Sequence, residues 1–189
     1  MSVNNISSHQ RPFALALCLL LCLSNISQAW SRSVEKQAVL AVLTFNVARF
    51  TTWPKHAFKQ TTNTFKLCVY GDNVVQQSFD FLNKKKLNNS SIKVINISRL
   101  RNLEQCQLLY ISELEQNKLI PLLVDLKYKP ILTIGENIEF LQAGGMVSLE
   151  KIIGKIQLSI NLAIVKHSGL IISSRLLNLA KIVDTASEH

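Results

Sequence analysis

Acid–base chemistry needs a carboxylate or imidazole held beside a second titratable group, and this sequence offers few. Glu136 and Glu139 follow the apolar run 131–134 and stand one helical turn apart. A strand end of an α/β sheet is where such folds keep their sites, and this spacing suits a cation or an acid–base pair. It equally suits the solvated first turn of a short helix, where carboxylates face the positive end of the dipole. Beyond residue 29 the histidines are His56, His167 and His189, and none has a second His or Cys at metal spacing. His56 follows Trp53-Pro54-Lys55 and His167 precedes Ser168-Gly169, so both read as turn residues. Gly71 stands alone after its strand, which leaves neither a dinucleotide fingerprint nor a P-loop. No serine sits in a G-x-S-x-G elbow. The expectation is no enzyme, no cofactor and no metal.

The beginning of the chain has another purpose. Arg11 precedes the eleven-residue apolar run Phe13–Leu23, and Ser27-Gln28-Ala29 supplies small residues before a cleavage point. This is the pattern of a secretory signal peptide, residues 1–29, cleaved after Ala29. Leu21 stands where a lipoprotein signal carries a small residue before its cysteine, so Cys22 is not read as a lipid anchor. Cleavage removes Cys18 and Cys22 and leaves Cys68 and Cys106. Two cysteines in an exported domain usually pair. Two buried free thiols, or a metal site whose other ligands are not nearby in sequence, are the alternatives. Of the 21 Lys and Arg, only Arg11 departs, so a basic excess over the 12 Asp and Glu remains. Outside the cytoplasm that charge points away from nucleic acid and towards acidic proteins or anionic envelope surfaces.

The elements that must position these residues read as strands alternating with helices. Residues 34–50 form a helix with two offset apolar stripes, ended by Thr51-Thr52-Trp53-Pro54. Strands are expected at 65–70, 92–97, 108–111 and 131–134. Helices are expected at 74–86, with Lys84-Lys85-Lys86 in the last turn, and at 113–126, with Pro121 breaking or kinking it. The continuous apolar runs 108–111 and 131–134 suit strands covered on both faces. Ile156, Leu158, Ile160 and Leu162 alternate with Gln157, Ser159 and Asn161, which predicts a strand with one wet face near the C-terminus. An amphipathic helix follows Ser173-Ser174, its core face formed by Leu176, Leu177, Leu179, Ala180 and Val183. The fold class is α/β: a single compact Rossmann-like domain with a mainly parallel sheet flanked by helices, and an antiparallel or edge strand near the C-terminus.

Landmarks run through this pattern: Arg49-Phe50-Thr51-Thr52-Trp53-Pro54, Leu67-Cys68-Val69-Tyr70-Gly71, Cys106 before Leu108-Leu109-Tyr110-Ile111, Pro130 to Gly135, Gly144-Gly145-Met146-Val147, Ile160-Asn161-Leu162, and Gly169 to Ser174 with Leu176-Leu177. In this order they resemble the YfiR family (DUF4154) of exported bacterial proteins, over residues 34–184. The resemblance implies a periplasmic regulator without activity of its own, often a homodimer. It implies binding to the periplasmic sensor domain of a YfiN-like inner-membrane diguanylate cyclase, which is repressed. A YfiB-like outer-membrane lipoprotein would sequester the repressor, raising cyclic di-GMP and promoting biofilm. Cys68 and Cys106 match a family disulfide. A second family bridge has no counterpart here, where Met146 and Ser148 occupy that region.

Two function classes therefore stand side by side. One is a regulator whose output is a protein contact, with Trp53, Gln157, Ser159, Asn161 and His167 as candidate interface residues. The other is a periplasmic small-molecule-binding module that passes ligand occupancy to a membrane receptor, with its crevice near Gly71-Asp72 and Gly135-Glu136.

Overall fold

The computed structural model of the chain describes residues 34–58 and 63–183. The expected signal peptide and His189 lie outside the described residues. The first helix, α1, covers 34–49. It buries Leu40, Ala41, Thr44, Val47 and Ala48, a single face that draws on both of the stripes seen in sequence. After it come β1 (Thr51–Thr52), β2 (Thr64–Tyr70), α2 (Asn73–Phe79), β3 (Lys86–Leu87), β4 (Ser90–Ile97) and β5 (Leu108–Ile111). The chain continues with α3 (Gln116–Leu126), β6 (Leu132–Gly135), α4 (Ile138–Gln142), β7 (Val147–Ile152) and β8 (Lys155–Ile160). It ends with α5 (Leu162–His167), β9 (Ile171–Ile172), α6 (Ser174–Leu177) and β10 (Lys181–Ile182).

Eight strands form one sheet in the order β10-β8-β7-β6-β5-β2-β4-β3. The five strands β4-β2-β5-β6-β7 are mutually parallel. β3 adds antiparallel at one end, and β8 returns antiparallel beside β7 at the other. Taken in chain order, the parallel strands run 2-1-3-4-5, the doubly wound order whose switch point lies between the first and third strands. Here that point is the gap between the ends of β2 and β5. The α/β fold class is as the sequence implied, and the described residues from Gln37 onward pack as one unit.

Alternate residues feed two hydrophobic layers, as a sheet covered on both faces requires. Phe65, Leu67, Val69, Leu108, Tyr110, Leu132 and Ile134 face one layer together with α1, α2, α5 and α6. Cys68, Leu109 and Ile111 face the other, with Leu119, Leu123 and Leu126 of α3 and Phe140 and Leu141 of α4. Phe140 explains two of the glycines. A Cβ placed on Gly135 or Gly145 would run into its ring, so β6 and the turn before β7 close around that side chain only without one.

Four elements differ from the sequence reading. α2 stops at Phe79 and a 3-10 turn, Asp80–Leu82, follows. Lys84 then adopts a positive φ and Lys86 enters β3, so the three lysines do not sit on a helix end. Backbone bonds from Lys84 N to Ile92 O and from Ile92 N to Lys85 O pull the segment onto β4, and Leu87 is buried there. α3 runs on through Pro121 without a break. The strand at 156–162 ends at Ile160, and Asn161 instead caps α5 by accepting from the Ile164 amide at 3.2 Å. The expected C-terminal amphipathic helix is the four residues of α6. Beyond it, β10 pairs parallel to β8, leaving Leu176 buried but Leu179 exposed.

Candidate interaction surface

At the carboxyl end of the sheet the two carboxylates of the sequence reading part company. Glu136 leaves β6 and accepts a hydrogen bond from the buried Tyr110 hydroxyl at 2.9 Å. Gln37 Nε2 of α1 donates to the same carboxylate at 3.3 Å. Burial, then the Glu136 charge, then this hydrogen bond push the Tyr110 phenol well above its ordinary value, so the hydroxyl stays a donor. Glu139 lies exposed in the first turn of α4, whose cap is Asn137 accepting from the Phe140 amide at 3.0 Å. The pair does not converge on a common point. Among the described residues no group of three or more His, Cys, Asp or Glu is placed to hold a metal.

Cys68 and Cys106 form a disulfide, with Cα atoms 5.9 Å apart. It joins β2 to the segment leading into β5, inside the layer that contains α3. Next to it, Gln107 is a buried hub that sequence reasoning missed. Its Oε1 accepts from the Lys66 amide at 2.8 Å and its Nε2 donates to the Ala57 carbonyl at 2.9 Å. Its own carbonyl accepts from Trp53 Nε1 at 2.9 Å. Trp53 also lies edge-on to Phe65, with ring centroids 4.9 Å apart. That geometry makes Trp53 a plug over the core beside β2, not a free anchor. A lone glutamine next to a cysteine carries no pattern from which this role could have been read.

Gln157, Ser159 and Asn161 are corrected in the same way. Ser159 and Asn161 are 1% and 0% exposed, so they are not part of a wet face. Ser159 pairs across the hairpin with the buried Ser148, and Gln157 Nε2 donates to Ser159 Oγ at 3.3 Å. Only Gln157 of the three keeps partial access to solvent. The alternation was real, but Ser159 and Asn161 on the polar side are covered as well.

His167 is exposed at the end of α5, its ring 6.1 Å from that of Tyr128. Tyr128 continues a feature absent from the sequence reading. Ile120 and Val124 on α3, with Tyr128 just beyond it, are spaced by four and all exposed, while Leu119, Leu123 and Leu126 of the same helix are buried. α3 is thus apolar on both sides, and its outer side extends to His167 through Tyr128. Periodicity alone would have revealed this stripe had the inner one not accounted for the helix first.

Two of the concavities among the described residues bear on the surface. A cleft of about 710 Å³ opens beside the switch point, with Tyr70, Arg99, Arg101 and Lys118 among its walls. Lys118 is ion-paired to Glu115 at 2.8 Å. An apolar pocket of about 330 Å³ lies between α1, the β7–β8 hairpin and α6. No described helix is long and apolar enough to cross a membrane.

A search among curated proteins found no match. A family model described as YfiR/HmsC-like (DUF4154) matches residues 37–181, which include every strand from β1 to β9 and the first residue of β10. That match covers well over half of the sequence, and the chain belongs to the YfiR/HmsC-like family.

Proposed function

We propose that this chain is a periplasmic regulator that binds the sensor domain of a YfiN-like inner-membrane diguanylate cyclase and holds the enzyme off. Membership of a family that is regulatory rather than catalytic carries this reading. The disulfide is consistent with the oxidising periplasm. Repression then follows from tighter binding to the inactive state of the cyclase, because a ligand shifts an equilibrium only by its differential affinity. A YfiB-like outer-membrane lipoprotein reverses it by mass action, and the regulator works as a homodimer. We assign the contact to the outer stripe of α3, Ile120 and Val124, with Tyr128 and His167. Apolar side chains left in water on a helix already buried on its other side are the signature of a docking face. Deleting the gene should raise cellular cyclic di-GMP, and Val124→Asp should do the same while leaving the melting temperature in place. Unchanged cyclic di-GMP after deletion refutes the reading.

The cleft at the switch point favours a second reading, a small-molecule-binding module. Arg99 and Arg101 make no ion pair among the described residues, so the cleft suits a small anion. A thermal-shift screen with carboxylates and phosphates should then show stabilisation that Arg99→Gln removes; no shift with any of them rejects this reading.

A further inference from the structure

The β7–β8 hairpin closes with Ile152 opposite Lys155, leaving Ile153 and Gly154 as its two-residue turn. Both have positive φ, 45° and 78°. This is the geometry for which Asn-Gly is suited, since asparagine tolerates the left-handed region. Isoleucine does not, because its branched Cβ crowds the backbone there. Of the described non-glycine residues with positive φ, Lys84, Asn88, Asn102, Glu113 and Ile153, only the last is apolar. Ile153 is 98% exposed, and Ile152 beside it is 39% exposed. The fold gains no burial from Ile153 and bears its strain, so the side chain is placed for something outside the molecule.

The surrounding charge identifies what that is. Lys151 and Lys155 flank the two isoleucines and are both exposed. Their cross-strand partners are Ile156 and Ile152, so neither ammonium has a carboxylate opposite it. The nearest carboxylate along the hairpin, Glu150, sits one step further in, across from Gln157. An apolar point between two unpaired cations matches a surface with an anionic skin over an apolar interior. A second copy of this chain, with a formal net charge of +9, offers no such skin.

We propose that the hairpin tip is a reversible contact with an anionic lipid bilayer. Ile152 and Ile153 enter the boundary between headgroups and acyl chains, and Lys151 and Lys155 reach lipid phosphates along their aliphatic stems. The contact is independent of the cyclase, since it is measured with lipid alone.

Flotation of the full chain with vesicles tests it. The chain should float with equimolar phosphatidylethanolamine and phosphatidylglycerol and not with phosphatidylcholine alone. Ile153→Asn should weaken binding about tenfold, the order expected for losing one buried isoleucine. The same variant should raise the melting temperature, because Asn-Gly relieves the turn. Lys151→Gln and Lys155→Gln should each weaken binding about fivefold. Failure of the wild-type chain to float on anionic vesicles overturns the proposal, as does flotation of Ile153→Asn equal to wild type. A loss in Ile153→Asn of binding to an envelope protein, with vesicle binding unaffected, would assign the tip to that protein and overturn it too.

Discussion

Breaking the bond between Cys68 and Cys106 should destabilise the fold without altering its architecture. The bond closes a loop with a sequence separation of 38 residues. In the chain-entropy description, releasing a loop of that length returns freedom to the unfolded state worth about 4 kcal/mol at room temperature. The native side adds little to this. Both cysteines are buried, and β2 and β5 stay paired through Leu67 opposite Leu108 and Cys68 opposite Leu109. Two thiols there pack as small apolar groups. For a domain of this size, about 4 kcal/mol corresponds to a fall of about 8–16 °C in melting temperature. Thermal and urea melts of the oxidised protein, the reduced protein and Cys68→Ala/Cys106→Ala measure it. The reduced and double-variant proteins should coincide, and reductant should have no further effect on the variant. A melting temperature unmoved by reduction, with free thiols verified, would refute the reasoning.

Two further outcomes follow from the buried groups. Tyr110→Phe deprives Glu136 of one of its donors and should cost about 1–2 kcal/mol at neutral pH by urea titration. The wild-type phenol is held above its unfolded value of about 10. Its contribution is therefore complete below that pH. It is lost as pH rises towards the native value, because only the unfolded chain releases the proton. The stability gap between wild type and Tyr110→Phe should shrink over that alkaline range, and a constant gap would show that Tyr110 is not held neutral. Gly145→Ala forces a Cβ against the Phe140 ring and carbonyl, and should cost about 3 kcal/mol in the same titration; a loss below about 0.5 kcal/mol would mean that Phe140 has room to move.

The central strands were legible because their apolar runs at 108–111 and 131–134 have only one use in a chain of alternating elements. The disulfide was legible from the two cysteines that remain beyond the expected signal peptide. What escaped was decided by tertiary pairing. Lys84 to Lys86 have good helix propensity, but edge pairing of β3 with β4 and burial of Leu87 outweigh it. The Asn88-Asn89 turn, with Asn88 at positive φ, was the local signal for that hairpin. Residues 157–161 read as wet because serine and asparagine are polar. They are small enough to be covered, with Ser148 opposite Ser159 and Asn161 spent on the cap of α5. The stripe of Ile120, Val124 and Tyr128 was hidden by the stronger one beside it.

The two-stranded pairing of β1 with β9 has a consequence for the order in which the chain can fold. Thr51 lies opposite Ile172, and the Ser173 amide donates to the Phe50 carbonyl at 2.9 Å. The exit of the first helix is therefore fastened by residues made about 120 positions later, a contact of high sequence separation that is slow to form. Until the segment 171–176 arrives, α1 lacks the neighbours Ile172 and Leu176 that complete its apolar layer. The earliest helix stays provisional while the rest of the chain is delivered, and truncation after α5 would leave it without its clasp.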